Sequence, residues 1–468
     1  MAALLSSAAP ALAAQSLARR LDRLMDAPPF DRHHWGLVVL DTTGKILYQR
    51  NGARLFVPAS NTKLVVSALA ASRLPADFTV MTSVYPAGPV IEGRVHGDLV
   101  LYGRGDPTMS RRCFDADTTR TGVCEADPMR RLRELAGAVR DRGIRVIEGS
   151  LIGDGSFFEP EMVHGTWEAD DLVWWYAAPV TGLAFNDNSL DLSWGGGPEA
   201  GAPGRLSIAP DFGDVTVENR TVTTAAGGGI DAGRLAGSGF WVAGQIPRDR
   251  PSRTSYLAMA DPNRDASLGA TESTTDSLRY AAARANPALA ETSSRPLREW
   301  LPPILGPSQN LFAELLLKQV ARHATGEGSW RAGLELARRF LIDTVGADST
   351  QFSFRDGSGL SRANVASPLT FARLLLWIRR RPEFAIFGPA LPVAGRSGTI
   401  RTRMVGTQVE GRVQAKTGTV FRTNSLSGYV TLPNGRIRIF SILTNNHDLS
   451  NGTMVARIDS LVVAIGRR

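Results

Sequence analysis

The sequence predicts an α/β (α+β) protein in which one sheet-and-helix domain is built from both ends of the chain and interrupted by inserted, mostly β material. Three observations predict this. The 468 residues exceed one average domain, so two or three compact units are expected. Strand, hairpin and helix patterns lie near both termini. From about residue 83 to 292 the chain is instead rich in Gly, Pro, Thr and short β-like runs.

Each terminal element has its own signal. Residues 36–49 predict two strands around a Thr-Gly turn, and residues 61–74 predict a helix. Residues 425–445 place a Pro-Asn-Gly turn between two β-rich segments, which predicts a hairpin. Residues 451–466 suit a closing helix. These elements are expected to form one domain.

The net charge of +8 raises the question of a nucleic-acid partner. The basic residues are dispersed, without a stripe or an aromatic-studded RNA motif, so we expect no nucleic-acid binding. Two interpretations of the charge stay open: peripheral attraction to an anionic cell wall or membrane surface, and Arg used as a general surface residue. No apolar run is long enough for a membrane span.

The N-terminus indicates export. Residues 1–14 are apolar and small and resemble the end of a secretory signal peptide, which predicts a periplasmic protein. An Ala-rich tail is the alternative. In an exported chain, Cys113 and Cys124 predict one local disulfide. Two thiols without a nearby His cluster make a poor zinc site, so no metal and no cofactor are expected.

Lysine usage singles out positions for chemistry. Of 53 Lys and Arg residues, four are lysines: Lys45, Lys63, Lys318 and Lys416. The chain therefore uses Arg wherever a plain cation suffices. Lys can lose its proton when buried or placed near another cation, whereas Arg effectively cannot. A retained amine suggests a place where Arg cannot serve.

The first motif is Ser60-Asn61-Thr62-Lys63, at the start of the predicted helix. Residues three apart share a helix face, so Ser60 and Lys63 can touch. A serine hydroxyl becomes a nucleophile when a base takes its proton, and a lysine of depressed pKa is one such base. Because a lone Ser-x-x-Lys also recurs by chance, the motif needs support from elsewhere in the chain.

The second motif is Lys416-Thr417-Gly418-Thr419, which precedes the predicted hairpin and is expected on a sheet edge. Its Gly permits close approach of a substrate backbone. Lys and Thr can hold a carboxylate, and an edge N–H can serve an oxyanion hole. An ordinary turn is the alternative for this motif taken alone.

The third motif is Ser308-Gln309-Asn310, which opens a predicted helix. In isolation Ser308 is a plausible N-cap. Together, Ser-x-x-Lys, a Ser-x-Asn triplet and Lys-Thr-Gly are the signature shared by penicillin-binding proteins and serine β-lactamases. Their order and their helix and strand contexts fit that set.

With these motifs the chain resembles the low-molecular-mass class C penicillin-binding proteins, the D-alanyl-D-alanine carboxypeptidase/endopeptidase family. Segments such as PASNTKL, LYGRGDPTM, WWYAAPVTGLAFNDNSL, SQNLFAELL, RDGSGLSRANVASP and VQAKTGT carry the resemblance over most of the chain. It implies a serine β-lactamase/D,D-peptidase-like domain, an antiparallel sheet with helices, that carries inserted domains. The division implied is a signal remnant at 1–14, a penicillin-binding domain at 15–82 and 293–468, inserted domain II at 83–158 and 252–292, and inserted domain III at 159–251.

The resemblance also implies roles for the motif residues. Ser60 would be the acylated nucleophile and Lys63 its base, with Ser308 and Lys416 completing the proton network. The residues expected to contact substrate are Asn310, Thr417, Gly418 and Thr419. The backbone N–H groups of Ser60 and Thr419 would form the oxyanion hole.

Three further residues are suggested by the resemblance, each with a plain alternative. Asp154 falls where the family uses an acid to grip the amine of the peptidoglycan side chain, but a Gly-Asp-Gly turn explains it equally well. Ser361 and Arg362 resemble a loop bordering the family's site, where turn chemistry is the alternative.

The implied function is serine D,D-carboxypeptidase or endopeptidase activity on D-Ala-D-Ala bonds, with peptidoglycan stem peptides and β-lactam antibiotics as partners. One alternative is a serine β-lactamase or esterase on the same domain, which differs in how fast water clears the acyl group. Another is a non-catalytic wall-binding scaffold. Intact Ser60, Lys63 and Lys416 argue against a scaffold, because a degenerate site would tolerate Arg in this Arg-rich chain.

Overall fold

The structure is a computed structural model that describes residues 8–111, 127–213, 215–266 and 272–467. The predicted Cys113–Cys124 disulfide lies outside the described residues. The helices are α1 (Ala8–Asp26), α2 (Thr62–Arg73), α3 (Arg130–Asp141), α4 (Pro262–Ala266), α5 (Ala281–Arg284), α6 (Leu297–Leu305), α7 (Asn310–Thr325), α8 (Trp330–Arg339), α9 (Pro368–Arg379), α10 (Phe384–Ala390) and α11 (Asn451–Ile465).

Twenty-one strands are described, several of them only two residues long. They are β1 (His34–Asp41), β2 (Ile46–Arg50), β3 (Met81–Ala87), β4 (Val90–Ile91), β5 (Arg94–Val95), β6 (Asp98–Gly103), β7 (Val146–Ile147), β8 (Leu151–Asp154), β9 (Ser189–Gly195), β10 (Arg205–Ala209), β11 (Val217–Thr224), β12 (Gly229–Arg234), β13 (Phe240–Pro247), β14 (Arg253–Ala258), β15 (Glu272–Thr274), β16 (Ala290–Ser293), β17 (Phe352–Ser353), β18 (Val365–Ala366), β19 (Val413–Val420), β20 (Thr423–Thr431) and β21 (Ile437–Asn445).

The central sheet joins the two ends of the chain. Its order is β19-β20-β21-β1-β2, and every neighbouring pair is antiparallel. The expected strand pair near the N-terminus, the hairpin and the closing helix are all present, as β1–β2, β20–β21 and α11. The prediction of mixed helix and sheet with inserted β material is therefore confirmed.

Side chains alternate between the two faces of this sheet, as the period of two in a strand requires. In β1, Val38 and Leu40 pack with α2, α7 and α9, while Leu37 and Val39 face the opposite way, toward α11. Leu21 of α1 is buried in the second layer. The sheet therefore separates two apolar layers, and its edge strand β19 borders the site.

The middle of the chain forms further sheets. One has the order β15-β8-β6-β3-β16, and two three-stranded sheets have the orders β10-β9-β14 and β11-β13-β12. The predicted boundary at residue 252 separates β14 from its partner β9, because Arg253 pairs with Trp194 and Ala258 with Ser189. We propose that this boundary lies after β14.

Part of the predicted domain III packs against the terminal domain. Trp167, Ala177, Val180 and Ala184 are buried in the same apolar cluster as α2 and α7. This segment lies between β8 and β9, so it brings inserted residues to the site.

The N-terminal helix runs through the predicted boundary at residue 14 and buries Leu17, Leu21 and Met25 against α11 and the sheet. Whether the chain is exported stays a prediction. Within the part of the chain that is described, no helix combines the length and the apolar character that crossing a membrane needs.

Candidate active site

Ser60 lies in a single 3-10 turn, Ala59–Asn61, that leads directly into α2. Asn61 donates through Nδ2 to Ser427 Oγ in β20 at 2.7 Å, which ties the turn to the central sheet. Thr62 Oγ1 donates to the Ala59 carbonyl at 3.0 Å. The turn is thus fixed from both sides, and the half-buried Ser60 hydroxyl stands between sheet and helix.

Lys63 lies one helical turn after Ser60 and is completely buried. Its Nζ donates to Ser60 Oγ at 2.9 Å, to Asn310 Oδ1 at 2.6 Å and to the Ser358 carbonyl at 2.7 Å. Burial lowers the pKa of Lys63 from 10.5 to about 7, although the charges of Glu314 and Asp356 oppose the shift. A neutral amine beside the hydroxyl can accept its proton.

Two glycines allow the backbone to close around Ser60. A Cβ on Gly418 would lie 2.2 Å from Ser425 Oγ and 2.9 Å from the Ser60 nitrogen. Gly359 has a φ of +81°, and its Cβ would lie 1.9 Å from the Ala59 carbonyl oxygen. Any side chain at either position would force the strand or the loop away from the Ser60 turn.

Lys416 is also completely buried, in β19. Its Nζ donates to Ser308 Oγ at 2.7 Å and to the Thr417 carbonyl at 2.8 Å. Burial lowers the pKa of Lys416 well below its ordinary value, and the positive charge of Lys63 acts in the same direction. The four residues of the predicted proton network therefore form two hydrogen-bonded pairs, Ser60 with Lys63 and Ser308 with Lys416.

Strand β19 is an edge strand, as predicted for the Lys-Thr-Gly motif. The Ala415 N–H points away from β20, because it donates to the Pro392 carbonyl at 3.1 Å. N–H groups alternate between the two edges of an antiparallel strand, so those of Thr417 and Thr419 lie on this same outer side. The outer edge thus carries the Thr419 N–H that the prediction assigns to an oxyanion hole, while Thr417 Oγ1 donates to Thr399 Oγ1 at 2.8 Å.

The third motif differs from the N-cap alternative. The cap of α7 is Gln309, whose side chain accepts from the Leu311 N–H at 3.2 Å, and Ser308 precedes it with a φ of +71°. Ser308 is thereby free to meet Lys416. Asn310 bridges two parts of the molecule, since its Nδ2 donates to the Tyr176 carbonyl at 2.7 Å while Oδ1 faces Lys63.

These groups open onto a cleft of about 640 Å³. Ser60, Asn310 and Thr419 line it together with residues outside the motifs: Tyr176, Gly359, Leu360, Val420, Phe421, Arg422, His447, Asp448, Leu449 and Asn451. His447 and Thr419 both contact Asn424, through Nε2 to Oδ1 at 2.8 Å and through Oγ1 to Nδ2 at 3.2 Å. The cleft can hold an extended chain along the β19 edge.

The motifs did not reveal two buried carboxylates behind the cleft. Glu314 and Asp356 are both completely buried and both bind backbone N–H groups of the loop at residues 356–361. A signal for Glu314 exists in the sequence: a Glu within the apolar run LFAELLL predicts a buried charge that needs partners. Asp356 has no comparable signal.

Comparison with known proteins identifies the family to which a chain with this site belongs. Residues 17–464 match the D-Ala-D-Ala carboxypeptidase 3 (S13) family. The chain belongs to that family. The resemblance inferred from the motifs is thereby confirmed, and by family the chain is a serine-type D-Ala-D-Ala carboxypeptidase.

Curated relatives of this S13 chain cover most of its length. A D-alanyl-D-alanine carboxypeptidase from an Actinomadura strain is 33% identical over 476 residues, covering 95% of this chain and 84% of the relative. The carboxypeptidase DacB from Mycolicibacterium smegmatis is 27% identical, covering 91% and 79%.

Solved structures agree with the fold. Penicillin-binding protein 4 from Haemophilus influenzae superposes with a TM-score of 0.80 at 20% identity, covering 96% of this chain and 99% of that one. A complex of that protein with a β-lactam gives a TM-score of 0.74. The serine D,D-peptidase-like fold predicted for this S13 chain is confirmed.

The structure of this S13 chain does not bring Asp154 to the cleft. Asp154 is completely buried in β8, forms an ion pair with Arg284 and accepts from the Ser156 N–H at 2.9 Å. It is absent from the described residues that line the cleft. Asp154 ends strand β8 and its carboxylate is paired with Arg284, so the grip on a substrate amine stays a prediction.

Ser361 and Arg362 differ in position: Ser361 lies inside the loop, and Arg362 lies at the rim of the cleft. Ser361 is buried, donates its N–H to Asp356 Oδ2 at 2.6 Å and accepts from Thr166 Oγ1 at 2.6 Å, so it stabilises the loop and is not a cleft-lining residue. Arg362 reaches the rim of the cleft, where Nη1 donates to the Phe421 carbonyl at 2.5 Å. Of the two, only Arg362 contacts a cleft-lining residue through its side chain.

Proposed function

We propose that this S13 chain cleaves D-Ala-D-Ala peptide bonds of peptidoglycan through an acyl-enzyme on Ser60. The observation that carries the proposal is the contact of 2.9 Å between Ser60 Oγ and Lys63 Nζ, with the amine completely buried. A serine with an adjacent neutral amine is an activated nucleophile. Family membership supports the substrate class.

In the proposed acylation, neutral Lys63 accepts the Ser60 proton while Oγ attacks the carbonyl carbon of the penultimate D-alanine. The N–H groups of Ser60 and Thr419 hold the developing oxyanion. The C–N bond then breaks, and the proton held by Lys63 passes through Lys416 and Ser308 to the leaving D-alanine amine. In the second half, water transfers a proton to Lys63 while its oxygen attacks the ester carbonyl. That proton passes from Lys63 to Ser60 Oγ as the ester bond breaks, which releases the shortened peptide and restores the free hydroxyl.

The substrate's terminal carboxylate is assigned to the amine of Lys416 and the hydroxyls of Thr417 and Thr419. Charge-assisted hydrogen bonds of this kind are short and strong. Asn310 is assigned to a substrate amide, and Gly418 to close approach of the substrate backbone. Arg362 is assigned to the rim of the cleft.

β-Lactams are proposed as covalent inhibitors. Opening of their ring by Ser60 leaves the amine attached to the acyl group, so the leaving group cannot diffuse away. The β-lactamase alternative uses the same acylation and differs only in rapid hydrolysis. The inserted sheets, and a family match that spans them, favour the peptidase. We also propose an extracytoplasmic location, because peptidoglycan lies outside the cytoplasmic membrane.

The test is labelling with a fluorescent penicillin on a denaturing gel. We expect a stable band with the wild-type chain, none with Ser60→Ala, and an unchanged band with Ser72→Ala, the same substitution farther along α2. An unlabelled wild-type chain would support the scaffold alternative. Label that disappears within seconds would support the β-lactamase.

Carboxypeptidase and endopeptidase action use one mechanism and are separated by products. Mass spectrometry of purified cross-linked and pentapeptide fragments after digestion distinguishes them. Loss of one D-alanine identifies the carboxypeptidase, and separation of a cross-linked dimer identifies the endopeptidase. Neither product from an enzyme that binds penicillin would contradict the substrate assignment.

A further inference from the structure

Behind the Ser60–Lys63 pair lies a buried carboxylate that the proposed chemistry does not use. Glu314 lies on α7, one turn after Asn310, and is completely buried. Its Oε1 accepts from the Ser358 N–H at 2.6 Å, and its Oε2 accepts from the Gly357 N–H at 2.9 Å and from Trp330 Nε1 at 2.8 Å. A buried carboxylate with three donors is held in one geometry.

The loop that Glu314 holds touches both catalytic residues. The carbonyl of Ser358, whose own N–H binds Glu314, accepts from Lys63 Nζ at 2.7 Å. The next residue, Gly359, packs against the Ala59 carbonyl and the Ser60 nitrogen. A displacement of the loop would therefore change the position of the Lys63 amine and of the Ser60 turn together.

We infer that Glu314 is a positioning residue for acylation, which aims the Ser358 carbonyl at Lys63 and supplies a negative charge behind that amine. The inference rests on the proposed function, since it assigns how the base of that reaction is set. Glu314 does not itself line the cleft among the described residues.

Charged groups from α7, from the loop at residues 356–361 and from β19 surround Lys63 and Glu314. Lys63 faces the charges of Glu314 on α7, Asp356 in the loop and Lys416 on β19. Glu314 also faces Lys318, four residues along α7, whose Nζ lies 3.4 Å from the Trp330 ring centre and 2.9 Å from Glu159. Glu314 and Asp356 together favour the protonated form of Lys63, whereas burial favours the neutral form.

Burial and the charge of Asp356 raise the pKa of Glu314, whereas the hydrogen bonds from Ser358, Trp330 and Gly357 favour its ionised form. Removing the negative charge of Glu314 removes a contribution that raises the pKa of Lys63. Lys63 then loses its proton at lower pH, so the acid limb of an acylation profile moves downward.

The experiment measures the second-order rate constant of acylation by a fluorescent penicillin from pH 5 to 9, with rates taken per labelled molecule. For Glu314→Gln we expect an acid limb lower by about one pH unit and a plateau at least about tenfold lower, because the amide nitrogen of Gln cannot accept one of the two loop N–H groups. Glu335→Gln, the same change on the exposed face of α8, is expected to leave both unchanged.

A second variant keeps the test decisive if Glu314→Gln fails to fold. Trp330→Phe removes the indole donor to Glu314 and keeps an aromatic ring beneath Lys318. It is expected to move the limb in the same direction by a smaller amount. An acid limb at the wild-type pH in the folded variants would overturn the inference, whatever their plateau. A wild-type chain that is not acylated would instead overturn the proposed function.

Discussion

At the scale of single residues, three of the four lysines share one property. Lys63, Lys318 and Lys416 are completely buried, whereas Lys45 is exposed. An Arg could not shed its proton at such positions, because its pKa stays above 12. The scarcity of lysine therefore pointed to buried amines, and two of them meet hydroxyl groups in the site.

The pKa of Lys63 sets a pH dependence. Because the base must be neutral and its pKa is about 7, the acylation rate constant of the wild-type chain is expected to rise about tenfold per pH unit below 7 and to level off above it. Stopped-flow or quenched labelling with a penicillin from pH 5 to 9 measures this profile. A rate constant independent of pH between 5 and 8 would contradict a titrating Lys63 base.

Replacing Lys416 with an apolar side chain is expected to slow acylation without lowering the stability of the fold. Lys416→Met keeps the length of the side chain and removes a buried amine that has no carboxylate partner among its described contacts. We expect the melting temperature to stay the same or rise, and acylation to slow by about a hundredfold or more. Thermal unfolding and penicillin labelling together test this. A large loss of stability with normal labelling would contradict the assignment.

At the scale of elements, the site depends on how closely β19 approaches the Ser60 turn. Ser425 Oγ of the neighbouring strand donates to the Pro58 carbonyl at 2.8 Å, and Asn61 reaches Ser427. The Ser60 turn is thus held by hydrogen bonds to the sheet as well as by its connection to α2. The distance between strand and turn is set by Gly418.

Gly418→Ala is expected to separate β19 from the turn. Its Cβ would lie 2.8 Å from the Pro58 carbonyl oxygen and 2.9 Å from the Ser60 nitrogen, and backbone atoms cannot yield as side chains do. We expect acylation to fall by about a hundredfold, as for a displacement near 1 Å. Gly137→Ala in α3 meets nothing within 4 Å and serves as the control. Equal labelling rates for the two variants would contradict the close approach.

Local patterns predicted the terminal elements and motif positions because each depends on neighbours in sequence: the β1–β2 pair, the hairpin, α2 and α11. They could not predict the cap of α7, since Gln309 and Ser308 are both capable caps and the choice depends on contact between Ser308 and Lys416, 108 residues away. Nor could they predict the pairing of Asp154 with Arg284, 130 residues later in the chain.

At the scale of the whole molecule, the insertion helps to build the cleft. Tyr176 accepts from Asn310, Trp167 donates to Asp356 Oδ2 at 2.9 Å, and Thr166 donates to Ser361. All three precede β9. The outer strands β10–β13 lie farther along the insertion, and none of their residues is among the described residues lining the cleft.

Removal of the outer strands should therefore spare the chemistry. β9 and β14 are antiparallel neighbours, and Gly195 lies beside Ser252, so a short turn can replace residues 196–251. This variant is expected to be less stable, because Phe240 and Val242 leave a shared core, but to keep a penicillin labelling rate constant within about threefold of wild type. Extending the deletion to residues 159–251 should abolish labelling. Loss of labelling in a folded shorter deletion would contradict this division.

The central claim is that Ser60 attacks with help from a neutral buried lysine. Its most direct test is peptide mapping by mass spectrometry after brief exposure of the intact chain to penicillin. The account predicts an adduct of one penicillin per chain on the Ser60 hydroxyl, absent from Ser60→Ala and formed at least about a hundredfold more slowly in Lys63→Arg. An adduct on another residue, or an undiminished rate in Lys63→Arg, would contradict it.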